Sequence, residues 1–85
     1  MKEFEYKITD PIGIHARPAG LLVKLLTSLK SDVKVAKGEK KVNAKSILSL
    51  MGLQAKQGEA IKFIVEGEDE DDAAKKIEDF LKENL

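Results

Sequence analysis

The sequence predicts an α+β fold in which helices cover one face of a four-stranded antiparallel sheet. The hydrophobic pattern switches between a period of two residues and a period near 3.6, which gives the element order βαββαβα. Every predicted strand alternates apolar and polar side chains, which is typical of an antiparallel sheet with one buried face. With 85 residues and no linker or repeat, residues 1–85 are expected to form a single domain.

The first strand and the first helix lie on either side of a turn. Residues 3–8 form the predicted strand, whose apolar side chains are Phe4, Tyr6 and Ile8. The Asp10-Pro11 pair and Gly13 end this strand. A helix is predicted from residue 16 to about residue 29. Its apolar face comprises Ala19, Leu22, Val23 and Leu26 and is widened by Leu21 and Leu25.

A hairpin and a short helix are predicted in the middle of the chain. Residues 32–37 and 40–43 form the two strands, with Gly38-Glu39 as the turn between them. Ser46 precedes the segment ILSLMGL and is the predicted N-cap of a short helix. That helix is expected to end near Gly52.

A fourth strand and a closing helix complete the predicted fold. The strand covers residues 60–66 between Gln57-Gly58 and Gly67. The apolar positions of the closing helix are Ala73, Ala74, Ile77, Phe80 and Leu81. Acidic residues between positions 68 and 72 suit the dipole at the N-terminus of this helix.

The composition narrows the class of protein. The chain has no cysteine, which excludes a disulfide framework, thiolate chemistry and cysteine-ligated metal sites. Its 15 basic and 15 acidic residues give a formal net charge of zero, whereas a general nucleic-acid binder is usually basic. No apolar run is long enough to cross a bilayer, and the start MKEFEYK lacks the apolar core of a signal peptide. We therefore expect a cytoplasmic protein with no nucleic-acid partner and no membrane insertion.

The segment GIHARPAG, residues 13–20, contains the only histidine and the only arginine of the chain. His15 falls at the predicted helix start, where the first amides, those of Ala16 and Arg17, have no partner within the helix. These amides favour an anion, and the Arg17 guanidinium can donate two hydrogen bonds to a phosphate or a carboxylate. Because a neutral imidazole is a nucleophile, the segment suits a reversible phosphohistidine.

Residue chemistry alone leaves other interpretations of His15 open. A lone histidine near a helix start is often a capping or packing residue, and a lone arginine is usually a solvated cation. A metal site would need carboxylates from elsewhere in the chain. A hydrolase triad would lack a second histidine to serve as base for a serine. We therefore expect neither a metal nor a cofactor.

An RNA-binding domain is the alternative from another class, because RNA-recognition folds share the order βαββαβ. Such folds stack bases on aromatic side chains of their central strands. Here the strand aromatics Phe4, Tyr6 and Phe63 are predicted to face the core. The lysines between positions 34 and 45 favour the alternative, and the zero net charge opposes it.

Residues 13–19 resemble the active-site signature of the HPr family, the histidine-containing phosphocarriers of the bacterial sugar phosphotransferase system. The family motif reads G-[IL]-H-A-R-P-A, and every position matches. Residues 42–48 are similar to the regulatory-serine region of the family, and the resemblance extends over essentially the whole chain. It implies an open-faced β-sandwich of four antiparallel strands with three helices on one face.

The resemblance implies a carrier that is not itself an enzyme. His15 would accept a phosphoryl group on Nδ1 from phosphorylated Enzyme I, which takes it from phosphoenolpyruvate. It would then pass the group to the IIA domains of sugar-specific permeases. Arg17 and the amides of Ala16 and Arg17 would stabilise the group, and a monomer is the simplest state for such a carrier. A related protein that served only regulation would lack the histidine.

Ser46 gains a regulatory role from the resemblance, beside its structural role as an N-cap. In low-GC Gram-positive bacteria the matching serine is phosphorylated by HPr kinase/phosphorylase. The product acts as a corepressor with the catabolite control protein in carbon catabolite repression. Lys45-Ser46-Ile47 resembles that branch, although enteric members carry a serine here without such regulation. Leu48 departs from the methionine that is frequent at this position in that branch.

The short helix after Ser46 carries the predicted partner-binding residues Ile47, Leu48 and Met51. It has more apolar side chains than one face can bury, so some of them are expected to be exposed. In the family this helix docks partners, and methionine and leucine suit contacts with several of them.

Overall fold

A computed structural model describes residues 1–85, and its elements follow the predicted order βαββαβα. The strands are β1 (Lys2–Lys7), β2 (Asp32–Lys37), β3 (Lys40–Asn43) and β4 (Ala60–Glu66). The helices are α1 (Ala16–Thr27), α2 (Ile47–Gly52) and α3 (Glu70–Asn84). The strands form one sheet in the order β1-β4-β2-β3, and all three pairs are antiparallel. None of the three helices has the length and the apolar composition that a membrane-spanning helix requires.

The helices pack on one face of the sheet, and the opposite face is open. Burial alternates along β4, where Phe63 is fully buried and the adjacent Lys62 is exposed. Phe4 lies directly opposite Phe63 in the ladder, and their stacked ring centroids are 5.5 Å apart. The Tyr6 hydroxyl donates a hydrogen bond of 2.9 Å to the main-chain oxygen of Leu81 in α3. The strand aromatics therefore face the helices, as predicted, and none lies on the open face as an RNA-stacking platform.

Helix α1 buries the predicted positions with one exception. Ala19, Leu22 and Leu26 are at most 1% exposed, whereas Leu21 is 47% exposed. The placement of Leu21 on the apolar face was therefore wrong. Leu21 lies four residues after Arg17, so the two side chains share the face of α1 that is directed to solvent. The helix also ends at Thr27, two residues earlier than predicted.

Candidate functional site

His15 is the N-cap of α1, and its imidazole takes no part in capping. Its backbone is extended (φ −135°, ψ 176°), and its side chain makes no capping hydrogen bond. Its main-chain oxygen accepts the first helical bond, from the amide of Ala19 at 3.0 Å. The side chain is half-buried. The structural interpretation of His15 as a side-chain cap is therefore not observed, and the ring is available for other chemistry.

The first turn of α1 presents two free amides beside His15. The main-chain N–H groups of Ala16 and Arg17 have no hydrogen-bond partner, and Pro18 has no N–H to satisfy. The Arg17 side chain is exposed and forms no ion pair with any carboxylate of the chain. Two amides and one unpaired guanidinium thus lie within one helical turn of the imidazole, an arrangement that favours an anion.

A shallow depression of about 160 Å³ contains His15 and Arg17. Four further residues line it, namely Asp10, Pro18, Leu21 and Asn84. Sequence reasoning placed Asp10 only in a turn and gave no role to Asn84. No local signal links Asn84 to this site, because it belongs to α3 and lies 69 positions after His15. The depression is large enough for a phosphoryl group and open enough for a partner protein to reach the imidazole.

A larger depression, of about 330 Å³, lies on the open face of the sheet. Charged side chains of both signs dominate it, with Glu3, Asp32 and Glu66 beside Lys34 and Lys41. It contains no histidine, no serine and no arginine. The smaller depression therefore has the better chemistry for a functional site.

The loop before His15 is held on one side by the segment after α2. The amide of Ile14 donates a hydrogen bond of 3.0 Å to the main-chain oxygen of Ala55. Gly13 adopts φ +81°, and an added Cβ would lie 2.9 Å from the Cα of Lys56. Only glycine provides both the backbone conformation and the close approach at this position. The glycine of the signature segment thus fixes the position of the histidine loop.

The same loop is held on its other side by the end of the chain. The main-chain oxygen of Leu85 accepts hydrogen bonds from the amide of Asp10 at 2.7 Å and from the Thr9 hydroxyl at 2.8 Å. The Leu85 side chain is 3% exposed and belongs to the core. The loop is therefore fixed between two distant segments of the chain.

Ser46 is the N-cap of α2, as predicted. Its Oγ accepts a hydrogen bond of 3.3 Å from the amide of Ser49, and its backbone is extended. At the other end of α2, Lys40 Nζ donates to the main-chain oxygen of Gly52 at 2.5 Å. Lys37 Nζ donates to the main-chain oxygen of Gln54 at 3.1 Å. Two of the lysines that favoured nucleic-acid binding thus hold the C-terminal end of α2, where the helix dipole favours a cation.

The exposure expected for α2 is observed. Leu48 is 84% exposed, and Ile47 and Met51 are 41% and 40% exposed, whereas Leu50 is fully buried. A helix of six residues can direct only one of these side chains into the core. The three exposed side chains form an apolar patch on the surface, which we call the α2 patch.

Three comparisons place the chain among known proteins. Residues 2–83 match the family model described as PTS HPr component phosphorylation site. The chain is 47% identical over 83 residues to the phosphocarrier protein HPr of Lysinibacillus sphaericus, covering 98% of this chain and 94% of that protein. A crystal structure of HPr from Thermoanaerobacter tengcongensis superposes with a TM-score of 0.92 at 43% identity, covering 96% of this chain and 92% of that chain.

A dimeric relative is also similar to this chain. The crystal structure of an HPr dimer from Thermoanaerobacter tengcongensis has a TM-score of 0.77 at 42% identity. It covers 98% of this chain and 95% of the matched chain.

In sequence and in fold, the chain matches small phosphocarrier proteins over nearly its whole length. The chain belongs to the HPr family of the phosphotransferase system. The fold expected from the resemblance, an open-faced β-sandwich with three helices on one face, is confirmed.

Proposed function

We propose that this protein carries phosphoryl groups on His15 between Enzyme I and the IIA domains of sugar permeases. The strongest support is the proximity of three groups at one open depression. They are an imidazole that takes no part in helix capping, two free amides and an unpaired guanidinium. Such a protein is consumed and regenerated in each transfer, so it acts as a carrier and has no turnover of its own. It needs no cofactor.

The transfer is a displacement at phosphorus. The electron pair of His15 Nδ1 forms a bond to phosphorus, while the bond to the donor atom of phosphorylated Enzyme I breaks and its electron pair stays on the donor. Arg17 and the amides of Ala16 and Arg17 stabilise the charge on the phosphoryl oxygens. Transfer to a IIA domain reverses this step with a new acceptor.

The α2 patch, Ile47, Leu48 and Met51, is the docking surface for these partners. Its side chains are apolar and exposed, and burying them against a partner would release water from apolar surface. Ile12 and Leu21 are exposed as well, and both lie near His15 in the chain. A partner that covers the depression thus meets apolar surface around the imidazole.

Ser46 is a regulatory phosphorylation site in this proposal, modified by an HPr kinase/phosphorylase with ATP. Its product would act with a catabolite control protein. The half-buried hydroxyl stands at the start of α2, next to the exposed Ile47 and Leu48. A phosphate there adds a charge of about −2 to the docking surface and opposes Enzyme I binding. Incubation with kinase and ATP should give acid-stable label on the protein and none on Ser46→Ala.

The protein functions as a cytoplasmic monomer in this proposal. The site lies within one chain, and a monomer leaves the depression and the α2 patch free for partners. Size-exclusion chromatography with light scattering tests this. A mass near 9.4 kDa is expected for the monomer, and a doubled mass would match the state described for the dimeric relative.

Labelled phosphoenolpyruvate and Enzyme I test the carrier role. We expect acid-labile label on the wild-type protein, because phosphohistidine is hydrolysed in acid, and no label on His15→Ala. Acid-labile label that persists on His15→Ala would contradict the proposal. Circular dichroism of His15→Ala checks that the fold is intact.

A further inference from the structure

We propose that Asp10 is a fixed negative charge at the phosphoryl site that disfavours the phosphorylated form of His15 and so promotes donation of the phosphoryl group. This inference rests on the proposed function. Asp10 lies outside the histidine signature, and in this inference it affects the direction of phosphoryl transfer. The residue lines the same depression as His15 and Arg17.

Three hydrogen bonds set the position of Asp10. Its amide donates to the main-chain oxygen of Leu85 at 2.7 Å, and its own main-chain oxygen accepts from the amide of Gly13 at 3.0 Å. One carboxylate oxygen, Oδ1, accepts from the amide of Ile12 at 2.8 Å. The backbone of Asp10 and one oxygen of its half-buried carboxylate are thus held in the turn.

The charge of Asp10 is not neutralised by a direct partner. Arg17 is the only lysine or arginine that lines the depression, and no ion pair joins it to Asp10. The other side chains of the depression, those of Pro18, Leu21 and Asn84, carry no charge. Asn84 Nδ2 donates to the main-chain oxygen of Phe80 at 3.0 Å and makes no hydrogen bond to the Asp10 carboxylate.

The effect on the reaction follows from charge alone. Forming the bond between phosphorus and His15 brings a dianionic group into a depression that already holds a carboxylate. Repulsion raises the free energy of the phosphorylated protein and leaves that of the free protein unchanged. Arg17 and the two amides offset this repulsion, so that the site binds the phosphoryl group without retaining it.

Asp10→Asn is the variant that isolates the charge. The asparagine side-chain oxygen accepts the same hydrogen bond from the Ile12 amide, so the turn is retained. Asp79→Asn is the matched control, because Asp79 is an exposed carboxylate of α3 outside the depression. Both variants change the net charge by one unit.

The measurement is the equilibrium ratio of phosphorylated to free protein with Enzyme I, labelled phosphoenolpyruvate and excess pyruvate. We expect Asp10→Asn to raise this ratio roughly three- to tenfold, the size expected for two charges that interact across a solvent-exposed depression. The difference should shrink near 1 M salt, where the Debye length falls to about 3 Å. Asp79→Asn should match the wild type.

The possible outcomes separate this inference from the proposed function. A wild-type protein that acquires no label overturns the carrier role, and the inference with it. A labelled wild type with an equal or lower ratio for Asp10→Asn overturns the inference alone. A ratio raised to the same extent by Asp79→Asn also overturns it, because the effect would then follow net charge and not position.

Discussion

The amide of Ile14 donates a hydrogen bond of 3.0 Å to the main-chain oxygen of Ala55, which fastens the residue before His15 to the segment after α2. The bond joins two parts of the chain that are 41 positions apart. It forms only because Gly13, the preceding residue, lets the two backbones approach closely. The geometry of the histidine loop therefore depends on the segment that follows α2.

Gly13→Ala should destabilise the protein. The positive φ of Gly13 costs an alanine about 1–3 kcal/mol, and the close approach of Ala55 and Lys56 adds to that cost. The control is Gly20→Ala within α1, where no atom lies within 4 Å of an added Cβ. This control should raise stability by about 0.5–1 kcal/mol. Urea unfolding of both variants measures the changes, and equal effects would contradict the role of Gly13.

Arg17→Ala should slow phosphoryl transfer without lowering the melting temperature, because the Arg17 side chain is exposed and unpaired. Hydrogen bonds to a charged group contribute about 1.5–3 kcal/mol. Their loss from the transition state corresponds to a phosphoryl-transfer rate roughly 10- to 100-fold lower. Arg17→Lys keeps the charge and loses the paired geometry, so an intermediate rate is expected.

Rapid-quench kinetics with phosphorylated Enzyme I measure these rates. Lys75→Ala, which removes an exposed cation of α3 outside the depression, is the matched control and should transfer at the wild-type rate. Wild-type kinetics for Arg17→Ala would leave stabilisation to the amides of Ala16 and Arg17 alone.

Leu48→Ala should weaken docking and leave the fold unchanged. Leu48 is 84% exposed, so truncating its side chain should change the stability of the free protein little. A partner that covers Leu48 would lose apolar contact with it. Losing the contact of a partly buried leucine side chain corresponds to an increase of roughly tenfold in KM for Enzyme I. The companion Leu50→Ala, at a fully buried position of the same helix, should instead lower stability by about 2–5 kcal/mol.

Steady-state transfer and thermal melting separate the two effects. A KM unchanged by Leu48→Ala would remove that side chain from the docking surface.

The hydrogen bonds to the Asp69 carboxylate should contribute to folding stability at neutral pH and lose this contribution in acid. The Ser31 hydroxyl, together with the amides of Lys30 and Ser31, donates to this carboxylate and holds its pKa below the ordinary value. Because the pKa is lowered in the folded state, the stabilisation is present above the unfolded-state pKa of about 4. It is lost as the pH falls below that value and the carboxyl is protonated.

Chemical unfolding between pH 7 and pH 2.5 tests this contribution. Asp69→Asn should be less stable than the wild type at pH 7 and should approach it in acid. Asp79→Asn removes an exposed carboxyl that has no hydrogen-bond partner. Its stability should follow the wild-type dependence on pH. A constant gap between Asp69→Asn and the wild type at every pH would show that the carboxylate charge is not the cause.

Local patterns predicted most of the fold. The alternation around Phe63 and the N-cap at Ser46 depend on neighbouring residues, so the sequence carries them directly. The exposure of Leu21 was not predicted, because a helical pattern does not tell which edge of a wide apolar face the rest of the protein covers.

The candidate site was predicted in part. His15 and Arg17 lie two positions apart in the chain and share a helix start, so their proximity follows from sequence. The presence of Asn84 at the depression and the bond from Ile14 to Ala55 depend on tertiary packing between distant segments. No local pattern contains that information.

Discharge of the phosphorylated protein onto a purified IIA domain tests the central claim most directly. The protein is labelled with Enzyme I and phosphoenolpyruvate, freed of both, and mixed with the IIA domain. We predict that label leaves the protein and appears on the IIA domain in equal amount. Label that stays on the protein, or that is released only as inorganic phosphate, would contradict the assignment of His15 as a phosphoryl carrier.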